Sequence, residues 1–168
     1  DKPGQRLDTE TPLEIREQPR FVSRGGEKIA AAFDAFPFSV RDHVCIDIGA
    51  STGGFTDCCL QQGATKVFAV DVGYGQLAWS LRQDERVVVL ERCNARSLTP
   101  EMLGESPTRF VADCSFISLR LILPPLVPTL GPGAEGVVLI KPQFEAGKDQ
   151  VGKGGVVRDE AVRQQVVE

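Results

Sequence analysis

An aspartate and a lysine stand just past two apolar runs. Asp113 follows Arg109-Phe110-Val111-Ala112, and Lys141 follows Val137-Val138-Leu139-Ile140. A charged side chain in such a place is costly unless it is paired or put to use. A third candidate, Lys28, lies in Ser23-Arg24-Gly25-Gly26-Glu27-Lys28, outside the series of apolar runs. Two amines and a carboxylate around one pocket suit proton transfer. A neighbouring ammonium and partial burial ease loss of a lysine's proton, while the aspartate opposes it. A lysine so tuned assists removal of a hydroxyl proton near neutral pH, and the freed oxygen attacks an electrophile. A plain structural ion pair between neighbouring strand ends is the competing reading, and the residue types alone leave both open.

The second chemical signal is Asp47-Ile48-Gly49-Ala50-Ser51-Thr52-Gly53-Gly54-Phe55-Thr56-Asp57. It follows the apolar run His43-Val44-Cys45-Ile46 and leads into a helix-like run that ends at Gly63. Strand, glycine turn and helix together make the place where an open α/β sheet holds a nucleotide-like ligand. Gly49, Ala50, Ser51, Gly53 and Gly54 are the expected cradle. The spacing is G-x-x-x-G-G, not the G-x-G-x-x-G of dinucleotide enzymes, and Asp47 precedes the first glycine by two positions. A carboxylate at a strand end repels a pyrophosphate and attracts a cationic amine. S-adenosylmethionine carries an α-amino group and a sulfonium, so it suits this turn better than NAD. Asp71 ends the next apolar run, where it accepts hydrogen bonds from ribose hydroxyls or serves as a turn carboxylate. Val72 shares that rim. Asn94, past the third run, meets an adenine edge or is a turn residue. Tyr74 stacks on an adenine or simply packs.

These side chains are useful only if a scaffold brings them to one edge. A β/α rhythm predicts strands near 43–48, 66–71, 86–90, 109–113 and 136–141, with helices near 53–62, 76–83, 97–103 and 117–130 and another from about 159. Lys66-Val67-Phe68-Ala69-Val70 and Gly136-Val137-Val138-Leu139-Ile140 are short continuous apolar runs, the pattern of parallel strands covered on both faces. Alternating βα units imply right-handed crossovers and a doubly wound, mostly parallel α/β sheet of Rossmann-like type. Ligands then bind at the carboxyl ends of the strands, where Asp47, Asp71, Asn94, Asp113 and Lys141 all fall. Ahead of the sheet, Ile29-Ala30-Ala31-Ala32-Phe33 reads as a helix that begins near Ser23 or the glycines and is closed by Pro37. Thr11 to Arg16 alternates weakly, like a short strand. The least regular element is the run after 117, which holds Pro124, Pro125 and Pro128.

Composition narrows the class. At 168 residues with 42% apolar and 25% charged side chains, the chain builds one globular domain with a core. Its longest apolar candidate, Leu119 to Leu130, contains Arg120 and three prolines and is too short to span a bilayer. Five cysteines without C-x-x-C spacing read as reduced thiols of a cytoplasmic protein. The single histidine, His43, has no ligand-like neighbour, so no metal site is expected. The net charge of −4 is unfavourable for unaided nucleic-acid binding, and the basic residues are scattered.

Seven segments run in the order found in one family. They are Ser23-Arg24-Gly25-Gly26-x-Lys28, Asp47 to Asp57, Asp71-Val72-Gly73-Tyr74-Gly75-Gln76-Leu77, Glu91-Arg92-x-Asn94-x-Arg96, Asp113-x-Ser115-Phe116-Ile117-Ser118-Leu119, Lys141-Pro142-Gln143-Phe144-Glu145 and Gly152-Lys153-Gly154-Gly155-Val156-Val157-Arg158-Asp159. From about residue 20 to 168 the chain resembles the hemolysin-A-type (TlyA) family of FtsJ-like ribose methyltransferases. The resemblance implies a class I methyltransferase fold that uses S-adenosylmethionine for 2′-O-methylation of ribosomal RNA, free or in ribosomal subunits. Of that family's Lys-Asp-Lys-Glu set, Lys28 matches the first lysine, Asp113 the aspartate and Lys141 the second lysine. The glutamate is expected on a later strand, and Glu145 lies in the wrong motif to replace it. With five strand-like runs where seven are usual, the fold is expected to be truncated at its C-terminal end. Residues 1–18 are expected to be the remnant of a small RNA-binding domain, and 19–168 an incomplete methyltransferase domain. Two other readings remain: a membrane-active hemolysin, as the family name suggests, and an RNA-binding module without catalysis. Phe144 either stacks on a splayed base or packs.

Overall fold

The computed structural model describes residues 19–167. The expected strand at 11–16 and the expected domain remnant at 1–18 lie outside the described residues. Strands β1 (Val44–Ile48), β2 (Lys66–Val70), β3 (Val87–Leu90), β4 (Arg109–Ala112) and β5 (Glu135–Val138) form one sheet in the order β3-β2-β1-β4-β5. Every pairing is parallel. The β-branched and aromatic runs that fill these strands fit a pleated surface covered on both sides. One cluster joins Cys45, Val67, Ala69 and Val111 to the helices on one face, and a second joins Ile46, Ile48, Phe68 and Ala112 to the helices on the other. The expected doubly wound α/β sheet is therefore what the chain builds.

The helices are α1 (Gly25–Ala35), α2 (Gly54–Gln61), α3 (Trp79–Arg82), α4 (Pro100–Leu103), α5 (Leu119–Leu126), α6 (Pro142–Glu145) and α7 (Glu160–Gln165). Helix α1 begins at the paired glycines and stops two residues before Pro37, as the restriction on a pre-proline residue demands. The expected long helix at 117–130 is instead α5 followed by a 3₁₀ turn at Val127–Thr129. Pro124 and Pro125 lie late in α5, where they withhold two backbone donors and end the regular ladder. Leu119, Ile122 and Leu126 still face the sheet. Helix α6 and a 3₁₀ turn at Lys148–Gln150 had no counterpart among the predicted helices.

Register sets the site. Ile48 is level with Val70 on one side and with Ala112 on the other. The next residues, Gly49, Asp71 and Asp113, consequently reach the same rim. The chain runs from β1 outward through β2 to β3, then returns to place β4 on the opposite side of β1. The reversal opens a crevice between the carboxyl ends of β1 and β4, where doubly wound sheets bind their ligands.

Candidate active site

The turn after β1 is shaped by close approach. Gly49 has φ +84°, and a Cβ there would stand 3.0 Å from the carbonyl oxygen of Asp113. The glycine thus lets the β1 turn lie against the start of the β4 loop. At Gly54 a Cβ would stand 2.7 Å from the backbone nitrogen of Gly26 and 3.0 Å from Cα of Gly25. The glycines of α1 and α2 therefore pack backbone to backbone, which carries the first turns of α1, and Lys28 with them, over the cradle. A second tie holds this entry: the Val22 backbone N–H donates to Asp57 Oδ2 at 2.8 Å.

Three charged side chains converge there. Lys28 Nζ donates to Asp113 Oδ2 at 3.2 Å. Lys141 Nζ stands 2.6 Å from Asp113 Oδ1, an ionic contact off the hydrogen-bonding direction, and donates to Ser115 Oγ at 2.7 Å. The side chain of Lys28 is 52% exposed, against 19% for Lys141 and 18% for Asp113. Lys141 is therefore the sheltered amine, held by two fixed acceptors, and Lys28 is the one that water screens. Lys141 owes its place to local backbone: it has an extended conformation before Pro142, which opens α6.

Two adjoining cavities surround this trio. One of about 650 Å³ is lined by Ser23, Arg24, Gly25, Lys28, Gly49, Ala50, Ser51, Thr52, Gly54, Phe55, Asp113, Ser115 and Lys141. The other, of about 520 Å³, is lined by apolar atoms of Ile48, Val70, Val72, Ile117 and Ile122 and by Asp71, Gln76, Asn94, Cys93 and Cys114. Gly49, Ser51, Asp113 and Ser115 border both. Asp71 accepts from the backbone N–H of Ser51 at 2.8 Å and of Gly73 at 2.7 Å. It thereby ties the two turns together, and it lines the second cavity. Asn94 accepts from the Arg96 N–H at 3.0 Å, a turn role, while lining the second cavity. Tyr74 is exposed, with the Arg92 guanidinium 4.3 Å from its ring centroid.

Two expected cradle residues lie elsewhere. Asp47 borders neither cavity. Its side chain is fully buried, accepts from Thr56 Oγ1 at 2.7 Å, and leaves Oδ1 with no hydrogen-bond partner. Strand alternation explains this: Asp47 shares its face of β1 with Cys45 and points under α2, not out at the rim. Burial pushes its carboxyl up from 3.8 to about 7, against the opposing Thr56 hydroxyl. Gly53, at φ +99°, borders neither cavity, because Leu77 and Leu81 fill the space beside it. Conversely, Ser115 and Glu145 did not figure among the candidate residues. Glu145 accepts from Ser118 Oγ at 2.6 Å and from the Leu119 N–H at 2.8 Å. Among the described residues no three His, Cys, Asp or Glu side chains gather as metal ligands.

Against known proteins, the profile of the FtsJ-like methyltransferases matches residues 21–168. The YqxC protein of Bacillus subtilis is 56% identical over 169 residues, covering 99% of this chain and 60% of that protein. The 16S/23S rRNA (cytidine-2′-O)-methyltransferase TlyA of Mycobacterium tuberculosis is 58% identical over 143 residues, covering 85% of this chain and 53% of the relative. The chain thus spans little more than half the length of these curated relatives. A solved protein of Streptococcus thermophilus superposes with a TM-score of 0.86 at 51% identity, over 90% of this chain and 55% of its own.

Proposed function

We propose, from the premise that this chain belongs to the FtsJ-like methyltransferase family, that its domain binds S-adenosylmethionine and methylates a ribose 2′-hydroxyl of ribosomal RNA. The observation that carries the reading is the convergence of Lys28 and Lys141 on one carboxylate, Asp113, at the lip of the glycine turn. The relative from M. tuberculosis is named for cytidine 2′-O-methylation of 16S and 23S rRNA, and the same class of substrate is proposed here.

The residues present fit the cofactor. The paired cavities have the size and mixed lining of a small-molecule site, and they meet at Gly49, Ser51, Asp113 and Ser115. Asp71 and Asn94 would hold its adenosine, with Val72 and Ile117 as apolar walls, and the Gly49–Gly54 turn would hold its amino-acid end. When bound, S-adenosylmethionine supplies an electrophilic methyl carbon on a sulfonium. The chain's own residues do the rest. Lys141 serves as the base that takes the proton of the ribose hydroxyl. Asp113 and Ser115 fix that amine and stabilise the ammonium it becomes. Lys28 holds the second oxygen of Asp113 and adds positive charge where an oxyanion develops. Because the methyl donor is already reactive, alignment of the hydroxyl supplies much of the rate.

The test uses the full-length protein. Calorimetry should detect S-adenosylmethionine binding, and Lys141→Ala should lower methyl incorporation into ribosomal subunits by about a hundredfold or more while the cofactor affinity stays within about threefold. Turnover that survives the substitution removes Lys141 from the mechanism, and absent cofactor binding removes the reading. Methyl incorporation also separates catalysis from a binding-only module. As for a membrane-active role, no helix among the described residues is long and apolar enough to cross a bilayer.

A further inference from the structure

We propose that Glu145 is a positioning residue for this site: its carboxylate clamps the loop after β5 to the start of α5 and so keeps Lys141 on Asp113. The inference rests on the functional reading above.

Asp113 and Lys141 belong to two loops that follow neighbouring strands, and these loops touch in register. Lys141 meets Ser115 at 2.7 Å, the Phe144 and Phe116 ring centroids are 5.2 Å apart, and Glu145 meets Ser118 and Leu119 at 2.6 and 2.8 Å. The first contact is made by the reacting amine itself, and the second joins two rings of which Phe116 is 91% exposed. The third is the strong one. It pairs an ionised acceptor with two donors, and charge-assisted bonds are the stronger kind. It also sets a negative charge at the first turn of α5, where the backbone N–H groups lack partners within the helix. The Ser118 hydroxyl bonds both ways: it accepts from the Arg120 N–H at 3.1 Å while donating to Glu145.

Between the clamp and Asp113 lies strained backbone. Phe116 has φ +63°, a conformation bulky residues seldom adopt and one that persists only where the surroundings over-determine it. Without Glu145 the segment from Asp113 to Leu119 loses its outer anchor. Relaxation of Phe116 then shifts the Asp113 and Ser115 side chains relative to Lys141, while the Asp113 backbone beside the glycine turn stays tied to β1 by its N–H bond to the Ile48 carbonyl at 3.1 Å.

The experiment compares Glu145→Ala and Glu145→Gln with the wild type, all as full-length proteins. Glutamine keeps an oxygen for the Leu119 N–H and a group within reach of Ser118. In the alanine variant kcat for methyl transfer should fall about tenfold or more while the S-adenosylmethionine Kd stays within about threefold. The glutamine variant should recover kcat to within about threefold of wild type. Hydrogen exchange of the Leu119 amide, read without any ligand, should speed about tenfold in the alanine variant only. If the alanine substitution prevents folding, Ser118→Ala removes one arm of the clamp and should give a smaller loss of the same kind. Unchanged kcat with an unprotected Leu119 amide overturns the proposal, and so does a Kd that worsens in step with kcat. A wild type that neither binds cofactor nor transfers methyl refutes the functional reading instead, while the Leu119 exchange still reports on the clamp.

Discussion

Asp47→Asn should make the protein more stable at pH 8 and less stable at pH 4. The carboxyl is fully buried, and burial carries it from 3.8 to about 7, with Thr56 opposing and the charges of Asp113 and Asp71 adding. That displacement disfavours the charged form by about 4 kcal/mol. The native carboxyl keeps its proton up to about pH 7, whereas the unfolded chain releases it near 3.8. Between these values the native state binds more protons, so this group lowers stability as pH rises and its full cost is present above about 7. Asparagine removes the pH-dependent cost. Its carbonyl oxygen can still accept from Thr56 Oγ1, but its amide NH₂ takes the place of Oδ1, which has no partner. An unpaired buried donor costs about 1–3 kcal/mol at any pH. The net expectation at pH 8 is a gain of about 1–3 kcal/mol, and at pH 4 a loss of similar size. Urea unfolding of both proteins at a series of pH values measures the difference, in which titrating groups that do not interact with Asp47 cancel. A difference that stays flat from pH 4 to 8 would show that the Asp47 carboxyl is charged in the native state across that range, and the burial argument would fall.

Two further outcomes follow from the geometry of the cradle. Gly54→Ala would set a Cβ 2.7 Å from the Gly26 nitrogen and 3.0 Å from the Gly25 Cα; backbone yields poorly, so urea unfolding should show a loss of about 1–3 kcal/mol, and an unaltered midpoint would mean α1 and α2 are not locked together. Burial pushes the Cys114 thiol up to about 11, with the charge of Asp47 adding. Although Cys114 borders a cavity, iodoacetamide at pH 8 should label it about a hundredfold more slowly than an ordinary free cysteine. Peptide mapping measures this, and labelling at the free-thiol rate counts against a half-buried, protonated sulfur.

The sheet was legible because its strands are continuous apolar runs between turn residues. β1, β2 and β3 begin and end within a residue of their expected limits. The last apolar run outlasts its strand: regular β5 stops at Val138, although the Leu139 N–H still bonds the Ala112 carbonyl at 2.8 Å. The convergence of Lys28, Asp113 and Lys141 followed from one rule about strand ends plus a family likeness. What stayed hidden has a common cause. In a strand covered on both faces, hydrophobicity does not mark which way each side chain points, so Asp47 was assigned to the rim when alternation sends it beneath α2. Contacts between segments distant in sequence leave no local mark either. Glu145 meets Ser118 across 27 positions and different elements, while its motif marks it only as lying in the wrong place to supply the family's glutamate. Both residues lie one step behind the charged trio. A sequence exposes the groups that could react, because their types are chemically unusual where they stand. It conceals the groups that aim them, because aiming is done by ordinary hydrogen bonds whose partners only the fold brings together.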